Sequence, residues 1–255
     1  MSGEDTSRRL VKHFVLYLDF LGMSQAVNSP SQDQLRQLIA LLTKVAAQKT
    51  SFSIDGHSQP DGSYKFKVTP EVSTFSDNIV ASYPIVEPGD EKTEAILVEM
   101  YVKVAQDFAI GVAIEALKIG MLTRGGLTIG QLYHSNGVVL GEAMVDAYNL
   151  ESRVATYPRI AVSSRIYQII NRLTIRTDTV HRLAEDTDGI WYLRCYSEMV
   201  RRIKLAERKS WFQSVLKTAD ENIAHFEARE SWNELAKWSW FKRRFIEEVK
   251  PQIEG

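Results

Sequence analysis

The chain has a single cysteine, Cys195, in 255 residues. One thiol excludes an intrachain disulfide and any cluster of thiolate metal ligands, and it suits a reducing compartment. Cys195 itself reads as a small core residue. No uninterrupted apolar run approaches the roughly 18 residues of a bilayer-spanning helix. The opening stretch, MSGEDTSRR, is polar and lacks the apolar core of a signal sequence, so the expected location is the cytoplasm, with no insertion into a membrane. An excess of charge is missing too. Against 31 Lys and Arg stand 32 Asp and Glu, and a net charge of −1 gives no electrostatic basis for binding nucleic acid. The five histidines show no H-x-x-x-H or comparable spacing, which argues against zinc. No internal repeat or low-complexity segment is visible.

What is present is the composition of a folded protein, 44% apolar and 25% charged. It suits one domain, or a core of about 200 residues with an appendage. Residues 12–20, KHFVLYLDF, read as a buried strand ending near Gly22. Residues 32–49 have helical apolar spacing, with Ser31 as cap. SFSID and KFKVTPEVSTFSDNIVASYP are β-rich, separated by the turn-like HSQPDGS, and the run around 64–83 reads as a hairpin with Asp77 near its turn. A long helix follows over 91–119, after the breaker EPGD. LTRGGLTIGQLYHSNGVVLG reads as strand, turn and short return strand. Helix resumes over Glu142–Val154, then a strand in YPRIAVSS and a short helix in SRIYQIINRL. The segment around Asp188-Gly189 reads as another hairpin, and everything from Met199 onward as helix.

This order predicts an α+β sandwich, a largely antiparallel sheet with helices on one face, followed by a C-terminal helical extension. The expected division is 1–198 and 199–255. In the extension, KWSWFKRRF mixes bases and aromatics, but Trp238, Phe241 and Phe245 share one helical face, which predicts packing against the core or a second subunit rather than nucleic acid or membrane.

Asp19 in LYLDFLGMS and Asp77 in VSTFSDNIVAS stand out. Each lies on or at the end of an apolar β-type run, where an unpaired carboxylate is costly and needs a cation, a metal or several hydrogen bonds. If their strands are neighbours, the two can form a divalent-metal site of the kind phosphoryl-transfer enzymes use.

Residues 12–165 resemble the catalytic domain of class III nucleotide cyclases. The residues that carry the likeness are LDFLGMS (18–24), Ser76-Asp77-Asn78, the R-x-G-x-x-x-G of Arg124, Gly126 and Gly130, and Gly141 opening GEAMVDAYNLESR. The resemblance implies an adenylate/guanylate cyclase-like sandwich with a ferredoxin-like core. It also implies two divalent ions, Mn²⁺ or Mg²⁺, held by Asp19, Asp77 and the Phe20 carbonyl, with a nucleoside triphosphate as substrate. Backbone N–H groups around Phe20, Leu21 and Gly22 would cradle its β- and γ-phosphates. Arg124 is a candidate phosphate grip or an edge-strand salt bridge. The family's helical Asn and Arg, four residues apart, fall on Val145 and Asn149 by strict counting from Gly141, or one turn later on Asn149 and Arg153, which restore the N-x-x-x-R spacing. The later pair is preferred. The family's site forms at a homodimer interface, with the aspartates from one subunit and the Asn/Arg helix from the other.

Where purine cyclases read their base, this chain has Ser73 and Val138. Neither offers the charge or hydrogen bonds of a purine reader, which points to another base. His134 and Tyr133 fall in a turn, where exposure is expected. Together with the short hairpin before Gly141, the YPRIAVS strand and the Trp-rich tail, this is similar to the pyrimidine cyclases of bacterial Pycsar anti-phage defence. That likeness implies synthesis of cyclic UMP, or cyclic CMP, as a messenger for a separate effector. UTP is preferred, although the residues do not separate it from CTP. The alternatives are a purine cyclase, and a catalytically degenerate nucleotide-binding domain that serves as sensor or dimerising scaffold.

Overall fold

The computed structural model describes residues 9–22, 32–47, 52–58, 62–85, 90–172 and 182–254. Its centre is strand β1 (Val11–Leu21), whose unbroken apolar run is buried on both faces. Phe14, Leu16, Leu18 and Phe20 point into the main core, while Val15 and Tyr17 face the opposite side. By the two-residue period of a strand, Asp19 shares that opposite face.

The other strands are β2 (Phe52–Ser58), β3 (Gly62–Val68), β4 (Glu71–Phe75), β5 (Asn78–Pro84), β6 (Leu122–Ser135), β7 (Val138–Leu140), β8 (Ile160–Val162), β9 (Leu183–Glu185) and β10 (Trp191–Leu193). The main sheet runs β4-β5-β1-β6-β8-β10-β9, with β7 paired to β6. Among the described residues only the β6–β8 pairing is parallel. The sheet is therefore largely antiparallel, as the sequence predicts. The hairpin read over 64–83 resolves differently. β2 pairs with β3 as a separate two-stranded sheet, and the hairpin that holds Asp77 is β4–β5 alone.

The helices are α1 (Gln32–Ala46), α2 (Glu91–Lys118), α3 (Glu142–Asn149), α4 (Ser164–Asn171), α5 (Tyr196–Arg201), α6 (Arg208–Glu227), α7 (Trp232–Val249) and α8 (Pro251–Glu254). Asp90 caps α2, its carboxylate accepting from the Thr93 N–H at 2.9 Å; the cap read at Ser31 lies outside the described residues. Val98, Tyr101, Val102 and Ala105 of α2 are fully buried in the main core, and Trp238, Trp240, Phe241 and Phe245 of α7 belong to the same cluster. The aromatic face of α7 thus packs inward. A short helix, α3, lies on the other face, where Ala143 and Ala147 meet Val15, Tyr17, Val80 and Leu132.

A buried charge network ties α7 to the sheet. Arg159, before β8, donates to Asp186 at 2.7 Å and also pairs with Asp188; Arg244 of α7 joins it at Asp186. Trp240 stacks on Tyr157 with centroids 5.5 Å apart. The Arg159 carbonyl in turn accepts from the Gly125 N–H, one residue from Arg124.

Candidate active site at the end of the first strand

The β4–β5 turn delivers the second aspartate. Phe75 pairs with Asn78, leaving Ser76-Asp77 as a two-residue loop, and Ser76 adopts a positive φ of 55°, a conformation in which glycine is the less strained residue. Asn78 is the register partner of Asp19, and the Asp77 carbonyl accepts from the Phe20 N–H at 3.2 Å. Both aspartates therefore stand at one end of the sheet. Tyr17 fixes the turn further by donating to Asn78 Oδ1 at 2.6 Å, and Asn78 Nδ2 donates to the Asp77 carboxylate at 3.2 Å.

Arg124, directly opposite Asp19 on β6, donates through Nε to Asp19 Oδ2 at 3.0 Å. Its Nη2 lies 2.6 Å from Glu151 Oε1, an ion contact. Arg124 thus makes a salt bridge with two carboxylates on one guanidinium, but from an interior strand, between β1 and β8, and not from the edge strand expected. Burial pushes the Asp19 carboxyl above its ordinary range, the Arg124 hydrogen bond and charge pull it back down, and the Asp77 charge pushes it up again. Glu151, 3% exposed, is pushed up to about 7 by burial; Arg124 opposes this and the charge of Asp19 adds to it.

Sequence reasoning missed Glu151. After α3 the chain widens into a π-turn over Leu150–Val154, closed by Ala155 N–H to Leu150 O at 2.8 Å. Glu151 follows Ala143 and Ala147 at four-residue spacing on the buried stripe and meets Arg124, while Asn149 and Arg153 lie off that stripe. Those two line an open pocket of about 300 Å³ with Thr128, Ser163, Ser164 and Arg165. One chain does not bring Asn149 and Arg153 to its own Asp19. Val145, the strict-count alternative, is 57% exposed on α3.

The R-x-G-x-x-x-G spacing has a plain physical basis. Arg124, Gly126 and Gly130 share one strand face. A Cβ on Gly126 would meet the Ala147 carbonyl at 2.2 Å, and one on Gly130 would meet Glu142 and Ala143 at 3.0 and 3.2 Å. The glycines let α3 lie directly on β6, which brings Glu151 to the arginine.

Ser73 contacts His134, a residue expected to be exposed, and Val138 pairs with the neighbouring Ser135. His134 is instead 7% exposed. Its Nε2 is hydrogen-bonded to Ser73 Oγ and its Nδ1 to Ser82 Oγ, each at 2.8 Å. Asn136-Gly137 makes the tight turn, both with positive φ, but β6 is long enough to carry His134 back over the sheet. Burial, with the nearby charge of His13, lowers its pKa to about 4, so it is neutral at physiological pH. Val138 is 55% exposed at the start of β7. Of the expected phosphate cradle, the Phe20 N–H is already given to Asp77 and its side chain is buried in the main core. Leu21 ends the strand, Gly22 has a positive φ, and the turn into α1 lies outside the described residues.

Among the described residues no group of three or more His, Cys, Asp and Glu side chains is arranged to hold a metal ion. Two adjacent aspartates and a backbone carbonyl are nevertheless a hard-oxygen donor set of the type Mg²⁺ and Mn²⁺ take with waters and phosphate completing the shell. The mutual repulsion of Asp19 and Asp77 is what a cation there would relieve. No helix among the described residues is long and apolar enough to cross a membrane.

Comparison with protein-family models gives no match, and comparison with curated proteins gives none either. Among solved structures the chain is similar to the adenylyl cyclase CyaB from P. aeruginosa, with 14% identity and a TM-score of 0.39, over 73% of this chain and 94% of that one. It is also similar to a class III adenylyl cyclase-like ATP-binding protein from Pseudomonas aeruginosa, with 13% identity and a TM-score of 0.39, over 71% of this chain and 38% of that longer one. At these values no residue role and no activity is taken from the likeness.

Proposed function

We propose that the protein is a metal-dependent nucleotide cyclase. The observation that carries the reading is the meeting of Asp19 and Asp77 at one end of the sheet, with Arg124 and Glu151 around Asp19. In this reading Asp19, Asp77 and the Phe20 carbonyl hold two Mg²⁺ or Mn²⁺ ions. When bound, such ions acidify the ribose 3′-hydroxyl and neutralise the polyphosphate. The 3′-oxygen attacks the α-phosphorus in line, the bond from that phosphorus to the bridging oxygen breaks, pyrophosphate leaves with that oxygen, and the hydroxyl proton passes to solvent. The chain's own work is orientation. Arg124 and Glu151 fix the rotamer of Asp19, and the Tyr17–Asn78 contact fixes the turn that carries Asp77.

The site is completed in a homodimer. Asn149 and Arg153 line a pocket that Asp19 does not, and Phe75 and Tyr148, both against Tyr17, are exposed together with Val138, Leu140 and Val145, apolar surface of the kind that marks subunit contact. From across such an interface, Arg153 meets the charge of the phosphates and Asn149 orients the ribose. The substrate base is a pyrimidine, UTP by preference, because Ser73 and Val138 give a purine neither charge nor a matching hydrogen-bond edge. The product serves as a messenger to a separate effector in antiviral defence.

One observation favours a second reading, a degenerate nucleotide-binding scaffold: the Arg124 guanidinium already occupies the Asp19 carboxylate. The test is Asp19→Ala and Asp77→Ala, assayed for Mn²⁺-dependent pyrophosphate release. Loss of turnover in both, with dimer and melting temperature retained, supports the cyclase. Undiminished turnover in both sinks the metal assignment, and a wild-type protein that binds triphosphate without turning it over supports the scaffold.

A further inference from the structure

The pocket that Asn149 and Arg153 line has a floor of hydroxyls with nothing to bond. Thr128 is fully buried on β6, between Gly126 and Gly130 on the strand face that α3 covers. Ser163 stands beside it, its N–H donating to the Leu127 carbonyl at 2.9 Å. The side-chain oxygens of both are buried and have no hydrogen-bond partner among the described residues. Ser163 holds the N-cap position of α4, where a serine oxygen ordinarily accepts from the first turn, yet it makes no such bond.

A buried hydroxyl without a partner costs the fold free energy, and valine fills a strand position like that of Thr128 without the cost. Two such hydroxyls side by side in an opening of about 300 Å³ point to a ligand that completes them. The rest of the lining says which kind. Arg153 makes no ion pair among the described residues, and the Arg165 contacts to Glu142, the Ile129 carbonyl and Asp146 are long, at 3.4, 3.4 and 3.9 Å. Against these two guanidiniums the described lining sets one carboxylate, that of Asp146. The first turn of α4 adds N–H groups without a partner inside the helix. Hydroxyls on the floor, guanidiniums and the Asn149 amide around them suit a tetrahedral oxyanion, whose oxygens accept from all sides, better than a planar carboxylate.

We propose that this pocket is a phosphate-binding site, with Thr128 and Ser163 as ligands on its floor and Arg153 and Arg165 at its rim. It is built within one chain, and neither Asp19 nor Asp77 lines it, so it stands whether or not the aspartates hold metal. The phosphate comes either from a substrate reached across the proposed dimer or from a free anion such as pyrophosphate; the same donors recognise both.

The experiment titrates full-length protein with pyrophosphate in a calorimeter, in EDTA, so that no metal at the aspartates contributes. Wild type and Asp19→Ala are expected to bind alike. Thr128→Val and Ser163→Ala should each weaken binding about tenfold, while Thr128→Ser, which keeps a hydroxyl, stays within about threefold of wild type. The melting temperature of Thr128→Val should not fall, because the hydroxyl it removes has no partner. No binding by wild type, equal affinity in wild type and both floor variants, loss of binding in Asp19→Ala, or a lowered melting temperature in Thr128→Val each overturns the inference. Turnover of UTP, CTP, ATP and GTP with Mn²⁺ separates the two sources. Thr128→Val raises KM where the phosphate is the substrate's, and leaves KM alone but blunts inhibition by added pyrophosphate where it is the free anion. Turnover in a protein whose floor variants bind pyrophosphate like wild type removes the pocket and leaves the cyclase reading. Hydroxyl-dependent pyrophosphate binding in a protein that turns over none of the four keeps the pocket and removes the cyclase.

Discussion

Replacing His134 tests the buried hydrogen-bond bridge that sets Ser73. The imidazole joins Ser73 on β4 to Ser82 on β5 with two 2.8 Å bonds, and Ser82 is fully buried. His134→Ala leaves the Ser82 hydroxyl without a partner, which costs about 1–3 kcal/mol, and opens a cavity, for a total of about 3 kcal/mol. The pH dependence is the sharper signature. Burial lowers the His134 pKa from 6.5 to about 4. A base whose folded pKa is depressed binds its proton more readily when unfolded, so its contribution is complete above pH 6.5 and is lost as pH falls toward 4. At ~1.36 kcal/mol per pH unit, that window corresponds to about 3 kcal/mol. The assay is urea unfolding at intervals from pH 8 to pH 4 for wild type and His134→Gln, whose amide does not titrate. The difference between the two should change by about 3 kcal/mol across the window, in favour of the variant at the acid end. If wild type and His134→Gln lose the same stability between pH 7 and pH 4, His134 is not buried as a neutral bridge and the account of Ser73 fails with it.

Gly126→Ala drives a methyl into the Ala147 carbonyl; a loss of about 2–3 kcal/mol is expected in thermal melts, together with loss of turnover as Glu151, Asn149 and Arg153 shift. Arg159→Leu removes the guanidinium from Asp186 and Asp188 and should cost about 3 kcal/mol, read as a lower urea midpoint; an unchanged midpoint would show that Arg244 alone satisfies Asp186. Val145→Glu sits on an exposed position of α3, so monomer stability should change by no more than about 0.5 kcal/mol while light scattering reports loss of the proposed dimer; a persistent dimer removes this face from the proposed interface.

The layout was legible wherever local rules act alone. The apolar run of β1, the long helix α2, the Asn136-Gly137 turn and the aromatic stripe of α7 each carry their own signal, and the structure has all four. So does the pairing of Asp19 with the Asp77 turn, because two carboxylates in apolar strands call for each other's neighbourhood. What was hidden depends on register. Glu151 shares the stripe of Ala143 and Ala147, but only the register of β6 against β1 shows that a cation, Arg124, awaits it there. His134 looks like a turn residue until the 14-residue length of β6 carries it over the sheet. The Phe20 N–H looked free for phosphate because nothing in the sequence shows that the Asp77 carbonyl will reach it.

The most direct measurement incubates the purified full-length protein with Mn²⁺ and, separately, UTP, CTP, ATP and GTP, and identifies the products by mass. The account predicts a 3′,5′-cyclic pyrimidine monophosphate and pyrophosphate, absent in Asp19→Ala and Asp77→Ala. A cyclic product from a purine triphosphate only would contradict the assignment of the base to Ser73 and Val138. No cyclic product from any of the four would contradict the central claim.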